Sequence, residues 1–518
     1  MRLLRFIITL TFFLAPIVSL VTIGLGFDLD NTIHVASTLL DDYIRGSLRL
    51  LVVALLVAVP IGVLCGFLIA QYQFTGARFF RFALLLPLAI PSYITGYSFM
   101  GFLESNQPNL SIIRSYPYSS VGIIFGLSLY PYLYMLCLNS FSLQQRSYYE
   151  IGKLQGQSQL SLFLTISLKI AFPSVVIGSS LIGLEVLSDF GLSKIFGLST
   201  FTTGIFRVWN NMNDVHTATL LSLCLVSISL LLLSLEKKQR EKINYYHIGT
   251  NTEHHRTTLH GFANLGAVLF CSLPLVLGFG IPVYQLLEWS SHIDNFDKYI
   301  ALIEITATSV AIALISTILL MSLGLILVNR TWQKKKFIEN QINPLSTFGY
   351  ALPGLVVAIS ISGIASWLDD KFIRLLGFAF SGSVMMLCYA YIIRFIAVSY
   401  QSIEASMQHI KPSMQEQYLI LNPSKLSLWR GLYFPLLKDP LFFTAILIFI
   451  EVIKELPATL MLRPLDINTL SVRVFELVND ERLIDSAPLS LTLISLGLIS
   501  VFILNFLTLD NRYVSRNK

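Results

Sequence analysis

The chain has 518 residues, of which 54% are hydrophobic and 13% charged, and its net charge is +6. Soluble proteins of this size carry about 25% charged residues, so a pair of ordinary soluble domains is excluded. Disorder is excluded as well, because it requires low hydrophobicity and high net charge. The five cysteines (Cys65, Cys137, Cys224, Cys271 and Cys388) are odd in number, widely spaced and set in apolar runs. They read as small buried hydrophobes rather than a disulfide framework.

A helix that crosses a bilayer needs about 20 mostly apolar residues. Twelve segments meet this: 6–26, 46–70, 83–103, 120–141, 172–192, 217–235, 262–287, 303–328, 348–368, 379–400, 440–461 and 487–508. The first follows Arg2 and Arg5, as a signal peptide would, but it is too long for one and no A-x-A site follows. The expected fold class is all-α integral membrane, with about twelve transmembrane helices. Placing the N-terminus in the cytoplasm gathers most loop lysines and arginines on that side, from Arg78 and Arg81 through Lys237, Lys238 and Lys334–Lys336 to Arg512 and Lys518. The opposite loops hold Asp28, Asp30, Asp41, Asp42, Glu288, Asp294, Asp297, Asp369 and Asp370. This asymmetry sets the orientation, with both termini cytoplasmic. The positive charge then faces membrane lipid, and no nucleic-acid partner is implied.

The chain repeats itself. Pro87 and Pro353 differ by 353 − 87 = 266, and the same offset pairs Glu150 with Glu416, Glu185 with Glu451 and Asp189 with Glu455. It also pairs Thr203 with Thr469, Arg207 with Arg473, and Asn213-Asp214 with Asn479-Asp480. Before the third span the offset is 262, from Gly62 to Gly324. The domain reading is a first half at 1–235 (spans one to six), a cytoplasmic linker at 236–261 and a second half at 262–518 (spans seven to twelve). Two parallel repeats in a membrane are a transport architecture.

Each half carries one long cytoplasmic loop of the same design. The first holds Glu150, Gly156, Ser158, Leu160, Leu162 and Phe163; the second holds Glu416, Asn422, Ser424, Leu426, Leu428 and Trp429. Both read as helix, turn, helix. Gly156 and Asn422 are the two residue types that best tolerate a left-handed turn. Ser158 and Ser424 stand where an N-cap starts the next helix. A pair of interfacial helices that only tile the membrane surface is the plainer alternative, but a tile has no reason to recur in register in both halves.

These loops resemble the EAA loop of binding-protein-dependent ABC permeases, whose pattern is Glu-Ala-Ala, three residues, Gly, nine residues, then Ile-x-Leu-Pro. Glu150, Gly156, Ile166 and Leu168 match in the first loop, with Lys169 in place of the proline; Glu416 and Pro435 match in the second, with Asn422 in place of the glycine. The alanines are missing from both loops. From Lys454 through Pro457 to Glu476, and from Glu185 through Asp189 to Trp209, the chain is similar to the ferric-iron permeases, which fuse two permease halves in twelve spans. Thiamine permeases share that fused plan and are the alternative cargo class. The resemblance implies a type I importer (MetI-like) permease fold in a bacterial inner membrane. It further implies two copies of a cytoplasmic ABC ATPase docked on the loops through Glu150, Gly156, Ser158, Phe163, Glu416, Asn422, Ser424, Trp429 and Pro435. ATP and Mg would sit on that partner, with no cofactor on this chain. A ferric-iron-binding protein would dock outside, around Thr203, Arg207, Thr469 and Arg473.

Charges within the spans offer two readings. Glu185 with Asp189, and Glu451 with Glu455, are each four residues apart and share a helix face. With Lys454 they line a translocation passage suited to a cation, or they are ions paired with Lys454 or Arg394 that lock helices together. No His/Asp/Glu/Tyr cluster repeats at ligand spacing, so no metal site is expected, and Tyr130, Tyr132 and Tyr134 read as interfacial anchors. The only Gly-Lys, Gly152-Lys153, is followed by Leu154, so there is no phosphate loop. No H-E-x-x-H or G-x-S-x-G occurs, and the chain reads as a transport subunit, not an enzyme. A self-contained secondary carrier is the competing class, although it has no use for paired cytoplasmic loops.

Overall fold

The computed structural model describes the chain apart from residues 1, 27–28, 107–114, 145–153, 155, 244–255, 293–295, 334–348, 350–351, 409, 411, 422–423 and 517–518. Each of the twelve expected segments carries helix. Among the described residues, eight helices are long and apolar enough to cross a membrane alone: Leu40–Gln71, Pro117–Ser142, Gln159–Ser188, Val215–Gln239, Gly261–Ser290, Ile300–Val328, Val384–Gln408 and Leu483–Ile503. They are spans two, four to eight, ten and twelve. Span one, Arg2–Gly24, has a shorter described apolar stretch, Thr11–Gly24. Spans nine, Gly354–Leu376, and eleven, Phe434–Lys454, carry charges such as Asp369, Asp370, Lys438 and Asp439 within their length.

Span three departs from the straight helix expected at 83–103. It is two helices, Ala77–Ala89 and Ser92–Ser105, bent by 94°. Two prolines explain the break. Pro87 and Pro91 have no N–H to give a helix, and a residue before proline is driven out of helical conformation. Ile90, just before Pro91, is extended at φ −102° and ψ 122°.

The structure is also not wholly helical. Tyr72–Gln73 pairs in parallel with Thr257–Thr258, and Leu259 N–H donates to the Gln73 carbonyl at 2.9 Å. Asn264 Oδ1 accepts from Thr75 N–H at 2.8 Å. These bonds tie the end of the linker to the chain after span two.

Packing forms two compact units that cut across the 1–235, 236–261 and 262–518 division. One comprises Met1–Phe27, Asn295–Glu476 and Ser495–Lys518; the other comprises Asp28–Asp294 and Leu477–Ile494. In the former, span one lies on the second half: Tyr389 Oη donates to the Phe12 carbonyl at 2.6 Å, and Ser19 Oγ to the Ser360 carbonyl at 2.8 Å. In the latter, span seven packs on span three, where Trp289 stacks on Tyr97 with ring centroids 6.0 Å apart. Tyr97 Oη also meets Ser490 Oγ at 2.6 Å. The sequence repeat divides the chain into two halves, while packing exchanges each half's first helix.

Small residues set the closest approaches, as they do between membrane helices. A Cβ on Gly126 would lie 2.6 Å from Val57 Cβ, and one on Gly62 would lie 3.0 Å from Leu133 Cβ. Tyr130 and Tyr134 are fully buried here, not interfacial, and Tyr134 Oη donates to the Arg81 carbonyl at 3.0 Å. Four of the cysteines are buried, but Cys224 is exposed.

Candidate functional site: the repeated loops and hinges

The 266-residue offset is written into the backbone. A five-residue π-helix at Phe163–Ser167 has a counterpart at Trp429–Tyr433, and 429 − 163 = 266. The helices that follow, Leu168–Ser188 and Phe434–Lys454, begin and end at the same offset. Upstream, Ser158 Oγ accepts from Ser161 N–H at 3.2 Å and Ser424 Oγ accepts from Ser427 N–H at 3.4 Å. Both serines therefore sit at the cap positions read from the sequence. Gly156 is left-handed at φ +75°. Glu150 and Asn422 lie outside the described residues.

Each short helix is held to its own unit. Phe163 packs its ring 4.6 Å from that of Phe67 on span two. Trp429 lies 5.3 Å from Tyr433, and Tyr418 Oη meets Ser427 Oγ at 3.1 Å. Gly431 lets Tyr418 lie across its backbone, since a Cβ there would be 1.9 Å from the hydroxyl. Outward, the loops present Leu154, Leu160 and Leu164 in the first copy and Ile420 and Phe434 in the second, all at least half exposed. Glu416, on the helix Pro412–Leu421, and Pro435 are exposed beside them.

At the far ends of spans five and eleven, Asp189 and Glu455 leave the helix with matching extended conformations, φ −68° ψ 132° and φ −65° ψ 122°. Each carboxylate turns forward to cap the next short helix. Asp189 Oδ2 accepts from Ser193 N–H at 3.1 Å. Glu455 accepts from Ala458 N–H at 3.1 Å, Thr459 N–H at 2.9 Å and Thr459 Oγ1 at 2.8 Å. Negative charge is favoured at such a position. Glu455 also forms the buried ion pair expected under the locking alternative, with Arg394 at 2.7 Å. Tyr391 Oη meets Thr459 Oγ1 at 2.7 Å beside it. Glu185, Glu451 and Lys454 are half-buried within the preceding turn.

Beyond the hinges the sequence register needs correction. Thr200 Oγ1 accepts from Thr203 N–H at 3.4 Å and Thr203 Oγ1 from Thr200 N–H at 2.8 Å, a reciprocal cap on Phe201–Phe206. Ser47 Oγ accepts from Phe201 N–H at 3.0 Å, and Ser309 Oγ from Leu470 N–H at 2.7 Å. Thr200 thus corresponds to Thr469, an offset of 269, because three extra residues lie between Glu455 and Thr469. The π-helix Arg207–Asn211 then returns one residue, and helix Val215–Ile243 matches Leu483–Arg516 at 268. Thr203 and Thr469 are buried. Arg207 is exposed, while Arg473 bonds Glu476 at 3.2 Å and Glu476 also holds Arg463. Asp214 opens the sixth span. Burial pushes its carboxyl up, but Thr217 N–H at 3.0 Å, the Thr217 hydroxyl at 2.7 Å and the His216 charge outweigh this and hold it below the usual range. Among the described residues, no group of three or more His, Cys, Asp or Glu side chains is placed to hold a metal.

The family described as the inner membrane component of binding-protein-dependent transport systems matches residues 58–238. The chain is 26% identical to the Fe(3+)-transport system permease protein FbpB 2 of Haemophilus influenzae over 472 residues, 89% of each chain. It is 24% identical to the molybdenum transport system permease protein ModB of Escherichia coli K12 over 206 residues, 36% of this chain and 87% of that one. The molybdate/tungstate transport system permease protein WtpB of Thermococcus kodakarensis is 25% identical over 199 residues, 37% of this chain and 77% of that one.

Proposed function

We infer that this chain, a multi-pass membrane permease of the binding-protein-dependent transport family, is the fused two-half subunit of an ATP-driven importer for ferric iron. The observation that carries the reading is the repeated loop unit: a serine cap, a short helix, a π-helix and a long span, at one offset in both halves, with apolar side chains turned outward. A carrier driven by an ion gradient has no need of two such surfaces. Two copies of a cytoplasmic ATPase, holding ATP and Mg, would each grip one loop; Glu150 and Glu416 would face them.

The mechanism is alternating access. A loaded ferric-iron-binding protein meets the outer segments after the hinges, near Arg207 and Arg473. ATP closes the ATPases, their closure moves the loops, and the spans that begin at the π-helices carry that motion to Asp189 and Glu455. ATP and the binding protein shift the equilibrium only through contacts that differ between the outward and inward states. Iron as cargo is supported by the ferric relative that aligns along 89% of both chains. The membrane is the bacterial inner membrane, with both termini in the cytoplasm.

The test is uptake in cells lacking the gene, complemented by this chain with its ATPase and binding protein. Labelled ferric iron, thiamine and molybdate are offered in parallel. Iron uptake that depends on the ATPase supports the reading; uptake of another solute alone replaces the cargo, and ATPase-independent uptake replaces the mechanism.

A further inference from the structure

Three arginines meet inside one compact unit, where the end of the linker returns to the chain between spans two and three. Arg78 and Arg81 stand three residues apart on the helix Ala77–Ala83, so they share a face. Arg256 immediately precedes Thr257, which pairs with Tyr72, and the start of span seven packs on the same helix. The Tyr134 hydroxyl, which donates to the Arg81 carbonyl at 3.0 Å, feels the charges of both Arg81 and Arg256. Arg256 in turn feels the charge of Arg78.

Such a grouping of like charges is unfavourable by itself. A guanidinium keeps its proton in a protein at neutral pH, so the repulsion is not relieved by titration. Burial and the neighbouring Arg78 charge hold the Arg256 guanidinium below its usual range. Among the described residues no carboxylate forms an ion pair with Arg78 or Arg256. Arg78 is exposed and Arg256 half-buried, so water screens one of them far better than the other. An anion with several oxygens relieves both, and phosphate suits the planar forks best. The surroundings say which phosphate. Phe79, next to Arg78, is 62% exposed, and Phe262, at the start of span seven, is 92% exposed. Bare aromatic rings beside cations at the ends of membrane spans mark the headgroup level of a bilayer. Free phosphate would use the arginines and leave both rings in water.

We propose that Arg78, Arg81 and Arg256 hold the phosphate of an anionic phospholipid, phosphatidylglycerol or cardiolipin, with its acyl chains along Phe79 and Phe262. The bound lipid joins the end of the linker to the first arm of the bent third span. Its leaflet, the inner one, rests on the reading of the chain as a membrane permease whose linker is cytoplasmic.

The test uses the full chain, purified in detergent and titrated with defined lipids, with binding read by native mass spectrometry. Cardiolipin and phosphatidylglycerol bind, and phosphatidylcholine of the same chain length binds about tenfold more weakly or worse. In Arg78→Gln/Arg256→Gln the affinity for both anionic lipids falls about tenfold. Lys237→Gln/Lys238→Gln, which removes the same charge from exposed positions at the end of span six, leaves it within about twofold. Equal losses in the two double variants overturn the inference. So does equal affinity of wild type for cardiolipin and phosphatidylcholine, a comparison that needs no variant to fold. Displacement of the lipid by an equal concentration of inorganic phosphate shows a free-anion site and overturns the lipid assignment. Binding is read without transport, so a failed uptake assay leaves these outcomes as they stand. Labelling of Thr258→Cys in intact cells by an impermeant maleimide, above the level of the parent chain, overturns the inner leaflet and the cytoplasmic linker together.

Discussion

Arg394 reaches 61 residues along the chain to close on Glu455 at 2.7 Å, and the bond joins span ten to the hinge after span eleven. Glu455 spends its other lone pairs on the amides and hydroxyl of the following short helix. One buried carboxylate therefore fixes three segments: span ten, the end of span eleven and the short helix Pro457–Leu462 that follows.

Removing one partner should cost far more than removing both. Arg394→Met leaves a buried charge uncompensated, a loss of about 3 kcal/mol or more. Arg394→Met with Glu455→Gln removes the unpaired charge, keeps one of the two cap acceptor oxygens and should recover part of that loss. Thermal unfolding of purified protein in detergent reads both; equal midpoints for wild type and Arg394→Met would show that the pair does not hold the hinge.

Two loop glycines, Gly156 in a turn and Gly431 in a π-helix, make a graded pair. Gly156 is left-handed with nothing among the described residues within 4 Å of a built Cβ, so Gly156→Ala costs backbone strain of about 1 kcal/mol, and Gly156→Asn costs less. Gly431→Ala drives a methyl into the Tyr418 hydroxyl and should cut uptake more deeply. Adding Tyr418→Ala should restore part of it. Uptake rates at matched expression check the order; a Gly156→Ala defect larger than that of Gly431→Ala would reverse it.

Loss of either serine cap should loosen its loop by about 1 kcal/mol. Hydrogen exchange over 158–165 in Ser158→Ala, and over 424–431 in Ser424→Ala, should rise while exchange in the other loop stays unchanged. A rise in both loops from a single substitution would contradict independent caps.

Asp214 makes the start of span six sensitive to acid. Its carboxyl is held below the usual range in the folded chain, so the stabilisation is complete above the unfolded carboxylate pKa and fades as pH falls through the folded one. Protection of amides 215–219, measured against the intrinsic exchange rate at each pH, should fall on acidification in wild type and stay constant in Asp214→Asn. The same profile in both would remove the assignment.

Much of this architecture was legible because hydropathy and polar spacing are local. The twelve segments, the serine caps and the left-handed Gly156 follow from residue type and position alone. The bend in span three was legible too, in Pro87, Ile90 and Pro91, but an average over apolar residues conceals it. Other features are not local. The π-helices at Phe163 and Trp429 have no composition of their own. The exchange of first helices depends on which neighbour a span meets, and apolar length is silent about that. Thr203 was matched to Thr469 because threonines recur at 200, 202 and 203, and only the caps in three dimensions show that Thr200 is the equivalent. The Arg394–Glu455 bond joins residues with no periodic relation.

The central claim is that the two repeated loops couple ATP hydrolysis to transport, and one measurement tests it most directly. Cells lacking the gene are complemented with wild type or with Glu150→Arg/Glu416→Arg, and uptake of labelled ferric iron is followed with insertion verified. Wild type should restore uptake, and the inserted double variant should lose it while still reaching the membrane. Uptake at the wild-type rate in the double variant would contradict the account and favour a carrier that works without an ATPase.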